Sequence, residues 1–149
     1  MTARSTPLPR GAFTHWQPIQ TRWADNDCYG HVNNVVYYSW FDTAVNRFLL
    51  EQAHMTPGGD WLGLVVHTHC DYFASVAFPQ ALEIGLRIAS QGASSVRYEL
   101  AIFAQDSPAA AAQGQFVHVY VDAASRRPLS TLPAPLCAAL LSLSLANRG

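Results

Sequence analysis

Residues Trp23 to Tyr37, WADNDCYGHVNNVVY, carry the densest set of reactive side chains in the chain: Asp25, Asp27, Cys28 and His31 stand just ahead of Asn33 and Asn34. An ionised carboxylate can take a proton from water or attack a carbonyl carbon itself, and the oxygen that then gains charge needs fixed N–H groups around it. The two asparagines stand where the polar loop gives way to valines and aromatics, as at a helix start. A first helical turn offers unpaired backbone N–H groups and the positive end of the helix dipole. Asn34 is the candidate donor through its backbone, while Asn33 suits the N-cap. Asp25 and Asp27 can point the same way from an extended loop, where two carboxylates disfavour each other's ionisation and one is enough. Short acidic side chains also bind the backbone of turns, which is the structural use open to both. Cys28 with His31 three residues on admits a thiolate nucleophile, although no third orienting group accompanies them. His31 can instead orient Asp27, touch the reacting group, or only anchor the loop.

A second cluster lies at His67, His69 and Cys70, in the run HTHC. Alternate residues of a strand share a face, so the two imidazoles can act together, but a metal site needs further ligands that this stretch does not supply. Pocket lining or polar surface is the plainer use. Cys28, Cys70 and Cys137 are odd in number and have no CxxC spacing, so neither a disulfide framework nor a thiolate metal site is implied. Ser94, Ser95 and Arg97 follow a hairpin glycine, where serines serve turn chemistry and can also meet a phosphate.

These groups must be positioned by one domain, since 149 residues make one core and not two. Residues 1–12, with Pro7, Pro9 and Gly11, read as a flexible leader to a domain spanning 13–149. A first strand is expected near Phe13 to Trp23. From Val35 to Gln52 the polar residues Ser39, Asp42, Thr43, Asn46, Arg47 and Glu51 recur at three-four spacing, which predicts a helix buried on most of its circumference. Trp40, Phe41 and Phe48 are its core residues. After Thr56-Pro57-Gly58-Gly59-Asp60 the period becomes that of strands. Leu82 to Ile88 and Val96 to Ile102 alternate apolar and polar, with Ala89 to Ser95 as a hairpin. Two further strands are expected at Leu62 to Ala74 and at Gln113 to Asp122, the latter apolar on both faces and so central or at a subunit contact. Ala109 to Ala112 reads as a loop tip, and Pro135 to Leu145 as a short terminal helix. The order implies an α+β fold: a five-stranded antiparallel sheet wrapped around one long helix.

A net charge of -1 with no block of basic residues gives no footprint for nucleic acid or an anionic membrane. No apolar run reaches the roughly 18 to 20 residues of a membrane span, and the N-terminus has no signal-peptide core, so a cytoplasmic protein is expected. Half of the residues are hydrophobic and only 13% are charged, which points to surface buried between subunits.

Trp23, Asp25, Asp27, Gly30, His31, Val32, Asn33, Asn34 and Tyr37 fit the loop W-x-D-x-D-x-x-G-H-V-N-N-x-x-Y. In this the chain resembles the hot-dog fold acyl-CoA thioesterases of the 4-hydroxybenzoyl-CoA thioesterase type. The resemblance extends over about residues 15 to 135, through Asp71-Tyr72, Ser94-Ser95 and VYVDAASRRP. It departs at Tyr72-Phe73-Ala74-Ser75, where relatives commonly carry a proline soon after the tyrosine. The resemblance implies hydrolysis of an acyl-CoA thioester to a free acid and CoA, with no cofactor and no metal. It puts the catalytic carboxylate on Asp27, as general base or nucleophile, with Asn34 and His31 beside it. Tyr37 of that loop, His69 as pocket lining, and Ser94, Ser95 and Arg97 beside the hairpin are the candidate substrate contacts, and the resemblance implies a homodimer or homotetramer. A hot-dog hydratase or dehydratase, and a non-catalytic acyl-CoA binding module, are the alternatives.

Overall fold

A computed structural model describes residues 6–146. Five strands, β1 (His15–Gln20), β2 (Trp61–Tyr72), β3 (Ala81–Gln91), β4 (Ser95–Ala104) and β5 (Ala112–Asp122), and two helices, α1 (Asn34–Gln52) and α2 (Ala134–Ala146), follow the order β1-α1-β2-β3-β4-β5-α2. The strands form one sheet in the order β1-β3-β4-β5-β2, and every neighbouring pair is antiparallel. Among the described residues no helix is long and apolar enough to cross a membrane.

Alternation builds the faces. Leu82, Ile84, Leu86, Tyr98, Leu100, Ile102, Phe116 and Tyr120 share a core with Tyr37, Phe41, Ala44, Val45, Phe48 and Leu49 of α1. Burying each large side chain among these is worth about 2 kcal/mol relative to leaving it in water. The helix approaches the sheet closely at Gly114, where an added Cβ would stand 2.8 Å from the Phe41 ring. Leu132, Leu136, Leu140 and Leu143 bring α2 onto the same core.

Four expectations change. The helix α1 is buried along one face only; Val35 and Leu50 remain exposed, so its apolar circumference outruns what one chain can cover. Ala110 to Ala112 are buried and Ala112 opens β5, so the loop tip lies earlier, around Asp106 with its left-handed φ of 66°. The first strand is shorter than expected, and Trp23–Asp25 forms a single 3-10 turn instead. The stretch expected to be a loose leader is anchored from Leu8 onward. The Leu8 N–H donates to Gln113 Oε1 at 2.8 Å, and the Arg10 guanidinium pairs with Glu83 at 3.1 Å while lying over the Trp16 and Phe103 rings. Phe13, Phe103, Ala101 and Ala110 form a second apolar cluster on the outer sheet face. Residues 1–5 lie outside the described residues.

The strand β5 is interior, between β4 and β2, as its two apolar faces require. The strand β2 is an edge. It bulges between Val65 and His67, and Leu64, Val65 and Val66 are exposed along it.

Candidate active site

The loop ahead of α1 is a tight turn closed at both stems. Asn26 and Val32 bridge antiparallel; the Asp27 N–H donates to His31 O at 2.9 Å, and the Gly30 N–H donates to Asp27 O at 3.0 Å. Gly30 sits at φ +80°, which a glycine adopts without a Cβ clash. The Asp27 carboxylate accepts the Tyr29 N–H at 2.9 Å, and the turn is tied to the loop after β2 by Val32 N–H to Val76 O at 2.8 Å and Phe78 N–H to Asn26 Oδ1 at 3.0 Å. His31 and Asp27 are thereby held side by side at the base of the turn.

The two loop aspartates have opposite surroundings. Asp25 is 1% exposed; it accepts the Arg22 backbone N–H at 2.8 Å and the Arg22 guanidinium at 2.8 and 3.1 Å. Its carbonyl accepts the Asn33 N–H at 2.9 Å. Asp27 is half-buried and borders an open cleft of about 530 Å³.

At the helix start Asn33 is the N-cap: its side chain accepts the Val35 N–H at 3.0 Å and its carbonyl accepts the Val36 N–H at 2.9 Å. The Asn34 N–H, just ahead of these two, donates no hydrogen bond among the described residues, and Asn34 lines the cleft. The floor is aromatic. Tyr37 is buried and meets Tyr72 edge-on at 5.0 Å; the Tyr72 hydroxyl donates to Asn34 O at 3.1 Å. Burial raises the pKa of both phenols, so they remain protonated donors at neutral pH. The nearby Cys70 thiol is pushed up to about 11, chiefly by burial, which leaves it an inert thiol.

Of the residues singled out from the sequence, Asp27, His31, Asn34 and Tyr37 line this cleft together. His69, Ser94, Ser95 and Arg97 do not line it within one chain. His69 stands on β2 with its ring 5.9 Å from that of His67, and among the described residues no group of three His, Cys, Asp or Glu side chains is placed to hold a metal. Arg97 is exposed and donates to Gln115 at 2.9 Å. Cys28 is exposed and lines no part of the cleft. Sequence reasoning missed Tyr29 as a lining residue, although an exposed aromatic inside a polar turn is itself a signal; Tyr29 is 81% exposed. It also left open the far wall, Phe73, Ala74 and Ser75. That wall is set by a long-range contact, the Phe73 and Ala74 N–H groups donating to Ala111 O at 2.8 and 3.0 Å.

The model of the thioesterase-like superfamily matches residues 21–140, from just before this loop into α2. The chain belongs to that superfamily. The PA5185 protein from Pseudomonas aeruginosa strain PAO1 is 53% identical and superposes with a TM-score of 0.89 over 93% of this chain and 96% of that one. A thioesterase from Thermus thermophilus, solved with coenzyme A and Zn, is 25% identical over 93% of this chain and 97% of its own, with a TM-score of 0.71. Slr0204, a 1,4-dihydroxy-2-naphthoyl-CoA thioesterase from Synechocystis, shares the fold at 24% identity and a TM-score of 0.76, over 87% of this chain and 96% of its own. YsmA of Bacillus subtilis (strain 168), an uncharacterized protein, is 24% identical over 85 residues; the match spans 57% of this chain and 58% of that relative's length. The architecture of this thioesterase-like chain is the hot-dog fold that its loop motif implies.

Proposed function

We propose that the chain is a cytoplasmic acyl-CoA thioesterase that hydrolyses a thioester to a free acid and CoA. The observation that carries this reading is the pairing, in one open cleft, of the Asp27 carboxylate with the unpaired Asn34 N–H at the start of α1. Asp27 activates water against the thioester carbon or attacks it directly. The Asn34 N–H, with the helix dipole behind it, holds the oxygen that gains charge. His31, on the opposite stem of the turn, orients the carboxylate or the water, and Tyr37 packs against the acyl group. The chemistry needs no metal, because a carboxylate and fixed N–H groups supply both halves of it.

The functional unit is a homodimer or a homotetramer. The exposed run Leu64, Val65 and Val66 on an edge strand, together with Val35 on α1, supports this, since an open apolar edge is an invitation to pair with a second copy. In a dimer joined at β2, Ser94, Ser95 and Arg97 reach a substrate from the neighbouring subunit.

Free-thiol release from a panel of acyl-CoAs, with the acyl products followed by mass spectrometry, tests the reading. A thioesterase liberates CoA and a free acid. A hydratase using Asp27 and His31 as an acid/base pair alters the acyl chain and keeps the thioester, and a binding module leaves the substrate intact; either result refutes the proposal.

A further inference from the structure

The far wall of the cleft, Phe73 to Ser75, spans two anchors. At one end Val76 is buried in the core, and its carbonyl accepts the Val32 N–H of the Asp27 turn at 2.8 Å. At the other end the chain changes faces. Tyr72 packs against the core, whereas Phe73 packs against the second cluster of Phe13, Ala101, Phe103 and Ala110 on the outer face of the sheet. Ala74 and Ser75, between the anchors, are exposed. The position of the wall therefore depends on a cluster that the core around α1 does not contain.

That cluster is closed by the N-terminal segment. Phe13 lies against Gly85, where an added Cβ would stand 2.7 Å from its ring, and it meets the Phe103 and Trp16 rings edge-on at 5.9 and 6.1 Å. The Arg10 guanidinium carbon is 4.8 Å from the centre of the Phe103 ring and 5.2 Å from that of Trp16. The same guanidinium donates to Glu83 at 3.1 Å, to the Ala104 carbonyl at 3.0 Å and to the Ser107 carbonyl. A cation fixed by three acceptors over two aromatic rings holds those rings in place. Leu8 fastens a second point. Its N–H donates to Gln113 Oε1 at 2.8 Å, and Gln113 is the cross-strand neighbour of Asp71, two residues before Phe73. Ala111, next to Ala110 of the cluster, accepts the Phe73 and Ala74 N–H groups at 2.8 and 3.0 Å. Leu8, Arg10 and Phe13 do not line the cleft themselves, yet they hold both the strand end that carries its wall and the cluster that seats Phe73.

We infer that residues 8–13 are a strap that positions the wall of the cleft facing the acyl group, with Arg10 acting on it through Phe103 and Phe73. Arg10 and Phe13 are positioning residues: they set how tightly the acyl group is held, and leave the carboxylate and the helix N–H as they are. This deepens the thioesterase reading and rests on it, and the test keeps the two failures apart.

Arg10→Gln removes the charge over the two rings and leaves the cleft lining untouched. In that variant the KM for the best acyl-CoA rises about 5-fold while kcat stays within about two-fold of wild type, because the substrate loses a fixed wall and the reacting groups keep their places. Hydrogen exchange without substrate shows the Phe73 and Ala74 amides opening about 10-fold faster. Leu143→Ala, a core truncation in α2 outside the outer cluster, measures plain destabilisation: its melting temperature falls and its KM does not change. Phe73→Ala cuts the same link from the wall side and raises KM further. Adding Arg10→Gln to it changes KM no more, since a residue that acts through another has nothing left to act on. If Arg10→Gln does not fold, Arg10→Lys, which keeps the cation and loses the planar fork, takes its place in the same comparisons.

Unchanged amide exchange, an unchanged KM in an active Arg10→Gln enzyme, the same KM change in Leu143→Ala, or additive changes in the double variant overturn the inference. A wild-type protein that hydrolyses no thioester refutes the proposed function, and the exchange rates of the two amides still decide the strap.

Discussion

At the N-terminal end of α1 the Asn34 N–H lacks a partner and Asp27 faces an open cleft, whereas near its C-terminal end Phe48 meets Tyr98 and, behind it, a histidine that is 1% exposed. That residue, His118, lies 5.4 Å from the Tyr98 ring and 5.9 Å from the Tyr120 ring, and neither of its ring nitrogens has a hydrogen-bond partner. The two tyrosine hydroxyls bond each other at 2.7 Å instead. Both regions therefore carry unsatisfied polar groups. The first is open to a substrate that can satisfy them, and the second is sealed, so its lone histidine can affect only stability. Unpaired groups are a sign of function where a ligand can reach them.

The largest effect expected from this contrast is on turnover. Asp27→Asn keeps the size and shape of the side chain and removes its charge, so kcat falls on the order of 100-fold or more while the melting temperature stays at the wild-type value. Assay of thiol release beside thermal unfolding checks both halves. A variant that hydrolyses at close to the wild-type rate breaks the contrast at its open end.

The sealed end is tested by acid. Burial lowers the His118 pKa to about 4, so the folded state disfavours the imidazolium. The unfolded chain binds its proton near the ordinary value of about 6.5, and the stability present above that pH is lost as pH falls towards 4, by about 3 kcal/mol in all. Urea unfolding between pH 7 and pH 4 measures the slope. His118→Phe, which fills the site without a titratable group, flattens that part of the curve; an unchanged slope removes His118 from the account.

Asp25 sharpens the comparison inside the loop. Asp25→Asn loses the charge that holds Arg22 and the turn, and it lowers stability by about 2 kcal/mol, most of it from the buried carboxylate, because Arg22 itself is largely exposed. The activity of the folded fraction stays within a few-fold of wild type. A variant as dead as Asp27→Asn, yet fully folded, would exchange the roles of the two aspartates. Cys28→Ser, at an exposed position off the cleft, changes neither kcat nor unfolding, and loss of activity there revives the thiolate alternative.

The loop and the fold were largely legible in the sequence because both rest on local signals. Strict alternation from Leu82 to Ile88 and from Val96 to Ile102 specified β3 and β4, and Asn33 before a run of valines and aromatics specified the start of α1. What escaped was set at long range. Four consecutive alanines read as a loop tip, yet three of them are buried because the segment supports Phe73 and Ala74. The bulge at Val66 breaks the period of β2 between two runs that each look regular. Leu8 and Arg10 carry no period at all, and only the folded sheet supplies Gln113 and Glu83 to hold them. The helix α1 read as buried nearly all round because its apolar positions include Val35, which one chain leaves exposed.

The most direct test of the account is a crystal structure of Asp27→Asn with an acyl-CoA bound, since that variant should hold its substrate without turning it over. The account predicts the thioester oxygen within about 3 Å of the Asn34 nitrogen, with the residue at position 27 facing the thioester carbon. A thioester lying outside the cleft, or one whose oxygen points away from the start of α1, would contradict it.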